Sequence, residues 1–265
     1  MLLKNHHKTA IIENNNIISY SELLKQISRF SSLLPSQNNS RIAIFSENRA
    51  EFIYSLYACW SRGTIPVLFD ISAEIDEIGY ILDEVQFSLI FCTSQNAEKL
   101  GHIPDKFALR SDVISFDEIK VRVDQEPVHE IDPPDVDAMA LIIYTSGTTA
   151  HPKGVMLSFR NLLANIRSIL DENFEASEKD STLILLPLFH IFPLLWTVIL
   201  PLYVGASTNI VPSLEPKVIM EILAKHNVTI IVGVPKLFHL IRNKIMAEID
   251  DSALKKGIFK LAEFI

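Results

Sequence analysis

Hydrophobic and polar positions follow one another along this chain in blocks that predict strands and helices in turn. Short apolar runs predict buried strands at residues 42–45, 65–69, 87–92 and 139–143. Apolar residues recur at helical spacing in residues 51–62, and residues 76–84 predict a second helix. Strands that alternate with helices favour an α/β layered fold.

The run at residues 144–154 follows the last of these strands and concentrates groups that bind phosphate. It holds two glycines, four serine or threonine hydroxyls and one lysine within eleven residues. Backbone N–H groups and hydroxyls are short-range donors, and lysine adds a mobile positive charge. Residues 158–166 predict a helix with Ser158 at its N-cap. The pattern therefore predicts a phosphate-binding loop between a strand and a helix.

The spacing in this run excludes a phosphate loop of the Walker type. Five residues separate Gly147 from Lys153, and Gly154 follows the lysine. The order Tyr-Thr-Ser-Gly-Thr-Thr, two further residues and Pro-Lys-Gly resembles the signature of the AMP-forming adenylating enzymes. That superfamily contains acyl-CoA synthetases, peptide-synthetase adenylation domains and luciferases. Ala150 stands where the family usually has glycine; the alternative interpretation is a surface turn rich in serine, threonine and glycine.

The resemblance implies that this loop binds the phosphates of ATP. The implied phosphate-binding residues are Thr145, Ser146, Gly147, Thr148, Thr149, Lys153 and Gly154. The hydroxyls would bind the β- and γ-phosphates, and the glycines would let the backbone approach them. Lys153 would act in catalysis by neutralising charge on the departing pyrophosphate.

A second block, residues 185–194, resembles the family motif Leu-Pro-Leu-Phe-His followed by a variable residue and an aromatic one. In acyl-CoA synthetases this histidine borders the carboxylate and acyl pocket, which makes His190 the second catalytic candidate. An imidazole there would donate a hydrogen bond to the substrate carboxylate and orient it toward the α-phosphorus. The alternative is a core histidine bonded to a backbone carbonyl.

The same region indicates the class of substrate. No acidic residue occurs in residues 183–214, whereas a buried ammonium group needs a carboxylate partner. An uncharged acyl chain therefore suits a pocket lined by this segment better than an amino acid does. Residues 234–245 and 254–262 resemble consecutive segments of the long-chain fatty-acyl branch, which makes a fatty acid the expected substrate.

The resemblance covers nearly the whole chain and implies an α/β fold with stacked mixed β-sheets flanked by helices. This is the N-terminal portion of the acyl-CoA synthetase large domain. Residues 1–130 would form a first α/β subdomain, and residues 131–265 a second with the phosphate loop and the acyl-pocket segment. The family's later Tyr-Gly-x-Thr-Glu motif and its C-terminal lid domain are absent. We therefore expect an N-terminal fragment that is inactive alone, exposes apolar surface, and has the missing C-terminal half of the enzyme as its partner.

The expected reaction of the whole enzyme is activation of a fatty acid to acyl-adenylate and then acyl-CoA, with release of pyrophosphate and AMP. ATP, Mg²⁺ and coenzyme A are the implied cofactors. One alternative is an acyl-acyl-carrier-protein ligase, since the acceptor site lies mostly in the missing half. Another is a non-catalytic module that binds nucleotide or acyl groups.

Composition and charge limit the possible partners, metal sites and cellular locations. Lysine and arginine total 24 against 32 aspartate and glutamate, a net charge of −8 that does not favour nucleic acid as a partner. Cys59 and Cys92 lie in apolar elements without metal-type spacing, so we expect reduced, buried thiols and no metal site. No secretory signal is visible, which predicts a cytoplasmic protein. The uncharged run at residues 183–200 has membrane-spanning length, but its prolines favour a core segment, with loose membrane contact through the fatty acid.

Overall fold

The computed structural model describes residues 3–4, 7–104, 107, 111–119, 130–131, 135–145, 151–171 and 174–250. The strands are β1 (Leu3–Lys4), β2 (Thr9–Glu13), β3 (Asn16–Ser19), β4 (Arg41–Phe45), β5 (Ile65–Leu68), β6 (Leu89–Cys92), β7 (Asp112–Ser115), β8 (Glu130–Ile131), β9 (Met139–Thr145), β10 (Lys153–Ser158), β11 (Ser181–Ile184), β12 (Ser207–Ile210) and β13 (Ile230–Ile231).

The helices connect these strands and cover the sheets. They are α1 (Tyr20–Ser31), α2 (Ala50–Arg62), α3 (Ile75–Val85), α4 (Ser94–Leu100), α5 (Phe159–Asp171), α6 (Ile191–Leu194), α7 (Leu200–Val204), α8 (Pro216–Lys225) and α9 (Pro235–Asp250). A short 3₁₀ turn spans Phe116–Glu118, and a π-helical turn, Leu195–Ile199, joins α6 to α7.

The first large sheet has six strands in the order β10-β9-β5-β4-β6-β7. All pair in parallel except β10, which is antiparallel to β9. The ends of β4, β5 and β9 therefore lie side by side at one edge of the sheet. Ile42 and Ile44 pack in the central core, whereas Ala43 and Phe45 pack in a second cluster on the opposite face with residues of α3. Burial on both faces explains why these strands are continuous apolar runs.

The second large sheet has five strands in the order β13-β11-β12-β2-β3. Strands β13, β11, β12 and β2 are parallel, and β3 returns antiparallel to β2. Separately, β1 pairs antiparallel with β8. Each large sheet combines strands from residues 1–130 with strands from residues 131–265, so the division between the sheets does not fall at residue 130. The subdomain boundary itself stays a prediction.

The central core lies between the two large sheets and is built around α1 and α2. Helix α2 buries nearly its whole circumference, from Ala50 to Trp60. The indole N–H of Trp60 donates to the carbonyl of Ala140 at 2.7 Å and so fastens the helix to β9. Gly63 ends the helix in the left-handed conformation, at φ 65°, which glycine adopts without steric cost.

The α/β fold with stacked mixed sheets is confirmed, and the helices predicted at residues 51–62 and 76–84 correspond to α2 and α3. Ser158 caps α5 as predicted, because its Oγ accepts from the N–H of Asn161 at 3.3 Å. Cys59 and Cys92 are buried as expected, and burial raises the pKa of each thiol to about 12. Within the described ranges, no helix is both long and apolar enough to cross a bilayer.

Candidate functional site

The phosphate loop connects the two strands of a hairpin. Strand β9 ends at Thr145, and β10 begins at Lys153 directly opposite it. Side chains of directly opposed residues project from the same face of a β-ladder. Thr145 and Lys153 are both exposed, so a hydroxyl and an ammonium group stand together at the base of the loop. Ser146, Gly147, Thr148 and Thr149 lie outside the described residues.

Gly154 lies against the ring of Tyr144, and a larger residue would crowd that ring. A Cβ atom at this position would lie 3.1 Å from Cε2 and Cζ of Tyr144 and 3.2 Å from Cγ2 of Ile142. The Tyr144 hydroxyl donates to Oε2 of Glu84 at 2.6 Å. Burial, and then this hydrogen bond, raises the pKa of Tyr144 well above its ordinary value, so the hydroxyl stays protonated. Helix α3 thus supports the hairpin through Glu84.

Helix α3 also holds the residue that precedes Pro152 and Lys153. The ring of His151 stacks on Tyr80 with 4.6 Å between centroids and an interplanar angle of 12°. The sequence pattern predicted no role for His151, Tyr80 or Glu84. The helical spacing of Tyr80 and Glu84 could have indicated one supporting face, because residues four apart on a helix are neighbours.

A cleft of about 250 Å³ opens beside the base of the loop. Its lining includes Phe69, Asp70, Glu74, Glu77, Tyr144, Thr145 and Pro152. The carboxylates of Asp70, Glu74 and Glu77 disfavour phosphate in this cleft. A phosphate chain would therefore extend toward Lys153 instead. A larger cleft of about 370 Å³ lies between α8 and the ends of β2 and β12, and it contains none of the predicted site residues.

His190 lies in the loop that follows β11 in the other large sheet. Its side chain is exposed, and its ring packs against Phe189 with 4.7 Å between centroids. The N–H of His190 donates to the carbonyl of Pro187 at 3.2 Å, and its carbonyl accepts at 3.2 Å from the N–H of Leu194, the last residue of α6. An exposed imidazole differs from a core histidine bonded to a carbonyl, and it is available to a ligand.

The apolar segment after His190 is helical and packed into the core. The carbonyl of Thr197 would normally accept from the residue four positions on, but that residue is Pro201, which has no N–H. The hydroxyl of Thr182 donates to this carbonyl instead, at 3.2 Å, and the π-helical turn occurs here. The cavity beside this turn measures only about 10 Å³, so an acyl pocket along the segment stays a prediction.

The structure brings the predicted residues together in two groups. Thr145, Lys153 and Gly154 meet at the β9–β10 hairpin, whereas His190 belongs to the loop after β11. The two groups are connected through the end of β4, where Asn48 binds the His190 loop. Strand β4 lies two positions from β9, which corresponds to about 10 Å at the usual strand spacing.

The family model for AMP-binding enzymes matches residues 3–260. The chain belongs to the AMP-binding enzyme family. Its match covers the hairpin, the His190 loop and both large sheets.

Relatives of this chain are named for different acyl groups. It is 26% identical over 238 residues to feruloyl-CoA synthase of an Amycolatopsis species, covering 89% of this chain and 47% of the relative. It is 27% identical over 275 residues to fatty acyl-CoA synthetase A of Dictyostelium discoideum, covering 96% of this chain and 39% of the relative. The chain thus spans about half the length, or less, of these curated relatives.

Solved structures show the same fold. ATP-bound MatB from Rhodopseudomonas palustris superposes with a TM-score of 0.76 at 23% identity, over 90% of this chain and 48% of that one. The o-succinylbenzoate-CoA synthetase MenE from Bacillus subtilis, in complex with its acyl-adenylate intermediate, gives a TM-score of 0.77 at 24% identity, with the same coverage. At this identity the likeness concerns the fold.

Proposed function

We propose that this chain is the phosphate-binding and acid-binding portion of an AMP-forming acid–thiol ligase that activates a fatty acid. The observation that carries the proposal is the hairpin base, where Thr145 and Lys153 face each other and both are exposed. Gly154 follows Lys153 on the same strand and is exposed as well. A hydroxyl, a mobile cation and an accessible backbone are what a loop needs to bind a phosphate chain.

The proposed chemistry has two steps. A carboxylate oxygen of the acid bonds to the α-phosphorus of ATP, and the bond from that phosphorus to pyrophosphate breaks. A thiol sulfur then bonds to the acyl carbon and loses its proton, the bond from that carbon to the phosphate oxygen breaks, and AMP leaves. In the first step Lys153 neutralises charge on the departing pyrophosphate, and His190 holds the carboxylate in line.

Magnesium would enter such a site with the phosphates of the nucleotide. The described part of the chain contains no group of three or more histidine, cysteine, aspartate or glutamate residues that could hold a metal ion. Thr145 is the described residue of the loop that carries an oxygen ligand suited to Mg²⁺. Magnesium held there with the nucleotide would supply neutralisation of the phosphate charge.

A fatty acid is the proposed substrate because the segment around His190 is apolar. Residues 183–214 contain no acidic side chain, so the ammonium group of an amino acid would have no partner there. The relatives include ligases named for feruloyl, malonate, fatty acyl and 2-succinylbenzoate groups, at similar identities. Identity therefore does not select the acid, and the support comes from the apolar segment.

The acceptor thiol is proposed to be that of coenzyme A, supplied to a site completed by a C-terminal half. The cytoplasm is the proposed location, with loose membrane contact through the fatty acid. Fractionation of cells that express the tagged gene product tests the location, and a protein found wholly as an integral membrane component would contradict it.

Pyrophosphate release tests the proposed function. The longest product of the gene would be given ATP, Mg²⁺ and carboxylic acids of graded chain length. We expect release that increases with chain length and is lost in Lys153→Ala, without a change in thermal midpoint, because Lys153 is exposed. Lys217→Ala, an exposed lysine on α8, is the matched control and should behave like the unaltered protein.

Three results would change the proposal. Release that peaks with a short or aromatic acid would keep the ligase and replace the substrate. Transfer of the acyl group to a phosphopantetheine carrier, and not to coenzyme A, would replace the acceptor. Absence of release with every acid would leave a binding module as the function.

A further inference from the structure

Asn48 forms a bridge between the two large sheets. It lies in the short connection between β4 and α2, and its side chain binds the loop after β11. Its Nδ2 donates to the carbonyl of Leu186 at 2.9 Å, and its Oδ1 accepts from the N–H of Leu188 at 2.9 Å. The two bonded groups flank Pro187, so the carboxamide takes the place that a peptide group of a neighbouring strand would occupy.

None of the described strands pairs with the loop at this point. The parallel pairing of β11 with β12 ends at Ile184 and Ile210, and the six residues that lead to His190 continue beyond it. Leu188 and Phe189 are buried and anchor the loop by packing, which is non-directional. The two hydrogen bonds from Asn48 add direction and register, since they fix the backbone on both sides of Pro187.

The connection that carries Asn48 is itself held in place. The N–H of Ala50 donates to Oε1 of Glu13 on β2 at 3.1 Å. Arg49 binds Glu51 and Asp117, with N–O distances of 2.7 and 2.9 Å. Asn48 therefore extends from a fixed turn, and a fixed turn can define the position of the loop that it contacts.

We propose that Asn48 is a positioning residue that sets the place of His190 relative to Thr145 and Lys153 at the base of the hairpin. This inference rests on the proposed function, in which His190 holds the acid. The amide orientation follows from its partners, because a donor must face the Leu186 carbonyl and an acceptor the Leu188 N–H. The end of β4 is two strands from the end of β9, so one side chain connects the sheet of the hairpin to the loop of the histidine.

Asn48→Asp and Asn48→Ala test this role. Aspartate keeps the shape and the acceptor for Leu188 but places a carboxylate oxygen against the Leu186 carbonyl, and alanine removes both bonds. Asn96→Ala is the matched control for loosening of the turn, because Asn96 is buried and donates to the carbonyl of Phe45 at 3.2 Å and to Oε1 of Glu47 at 3.3 Å, while both bonds of Asn48 stay in place. No contact recorded among the described residues joins Asn96 to the His190 loop.

The first measurement uses this chain alone and follows the His190 ring by NMR, with His190→Gln to assign its signal. Both Asn48 variants should shift or broaden this signal, and Asn96→Ala should leave it in place. The second uses the longest gene product. We expect the KM for the acid to rise about tenfold, the factor expected for a lost buried hydrogen bond, with the KM for ATP unchanged.

An unchanged His190 signal and an unchanged acid KM in a folded Asn48→Ala protein would overturn the inference. So would a loss of thermal stability equal to that of Asn96→Ala as the sole effect, because that is the signature of a structural role. If Asn48→Ala does not fold, the isosteric Asn48→Asp decides. A parent enzyme that releases no pyrophosphate with any acid would contradict the proposed function, while the NMR signal still decides the role of Asn48.

Discussion

Helices α2 and α9 are both rich in apolar residues, but they are packed differently. Helix α2 lies between the two large sheets and buries its side chains on all sides. Helix α9 packs with Leu237 on the outer face of the five-stranded sheet, and it leaves Phe238 45% and Leu240 52% exposed. The difference shows that burial depends on how many layers cover a helix and not on its apolar content alone.

The strands next to these helices differ in the same way. Strand β4 has hydrogen-bonded neighbours on both sides, whereas β13 is an edge strand whose ladder has two residue pairs. We define the β13–α9 surface as Ile231, Val234, Phe238 and Leu240, all of which are exposed. The exposed apolar surface expected from the sequence stays a prediction, and these four residues are candidates for it.

The largest effect should come from removing the side chain that fastens α2 to β9. Trp60→Ala deletes a buried indole and leaves the Ala140 carbonyl without its donor. We expect the free energy of unfolding to fall by about 3–5 kcal/mol. Phe238→Ala should change it by no more than about 0.5 kcal/mol. Urea unfolding measures both, and equal losses would contradict the difference between the two helices.

The end of α2 gives a smaller effect that arises from the backbone alone. Gly63 has φ 65°, and a Cβ there would meet Asn38 at 3.8 Å, an ordinary contact. Gly63→Ala should therefore lower the free energy of unfolding by about 1–2 kcal/mol because of the left-handed conformation. Asparagine tolerates this conformation better, so Gly63→Asn should lose less; equal losses would show that sterics, and not φ, limit the position.

The elements around the central core were also the more predictable from sequence. Strands β4, β5 and β9 are buried on both faces and appear as apolar runs, and α2 shows helical periodicity. Strand β10 was missed, because Lys153 to Met156 are exposed and show no alternation of buried and exposed positions. Pairing of Ile11 in β2 with Thr208 in β12 could not be predicted either, since no local pattern specifies a partner so distant in sequence.

The candidate site likewise has residues that the sequence predicts and residues that it does not. The hydroxyls, glycine and lysine of the hairpin were predictable, because their chemistry is local and ordered along the chain. Glu84 under Tyr144 and Asn48 against Leu186 were not, because each acts across a contact between distant segments. The residue types gave a weak signal in both cases, since a glutamate on a helix and an asparagine after a strand are common on surfaces.

A third effect concerns the ionic contacts at the carboxyl edge of the six-stranded sheet. Asp117 accepts from Ser94 N–H and binds Arg49, each at 2.9 Å. The Ser94 hydrogen bond, followed by Arg49, holds the pKa of Asp117 below its ordinary value. The stabilisation is therefore present above the ordinary aspartate pKa and is lost as pH falls through the lowered one.

Asp117→Asn should thus lower the free energy of unfolding by about 0.2–1 kcal/mol at neutral pH. The difference from the parent protein should shrink as the pH is brought below 4, near the ordinary aspartate pKa. Asp112→Asn, at an exposed position on β7, is the control and should show no such trend. A difference that persists unchanged into acid would assign the effect of Asp117 to packing and not to charge.

The smallest change in stability should come from the β13–α9 surface. Substitutions of its exposed residues should affect solubility and leave folding unchanged. Phe238→Gln combined with Leu240→Gln removes apolar area from solvent-exposed positions, so the free energy of unfolding should stay within about 0.5 kcal/mol. Binding of an apolar dye and self-association, followed by light scattering, should both decrease, because contiguous exposed apolar surface drives them. Ile17→Ser on β3 removes a single exposed residue at the other edge of the same sheet and should leave both readouts as they are.

A parent protein that is a monodisperse monomer and binds no dye would show that the exposed side chains of β13 and α9 do not act as a surface. The contrast with α2 would then concern packing alone.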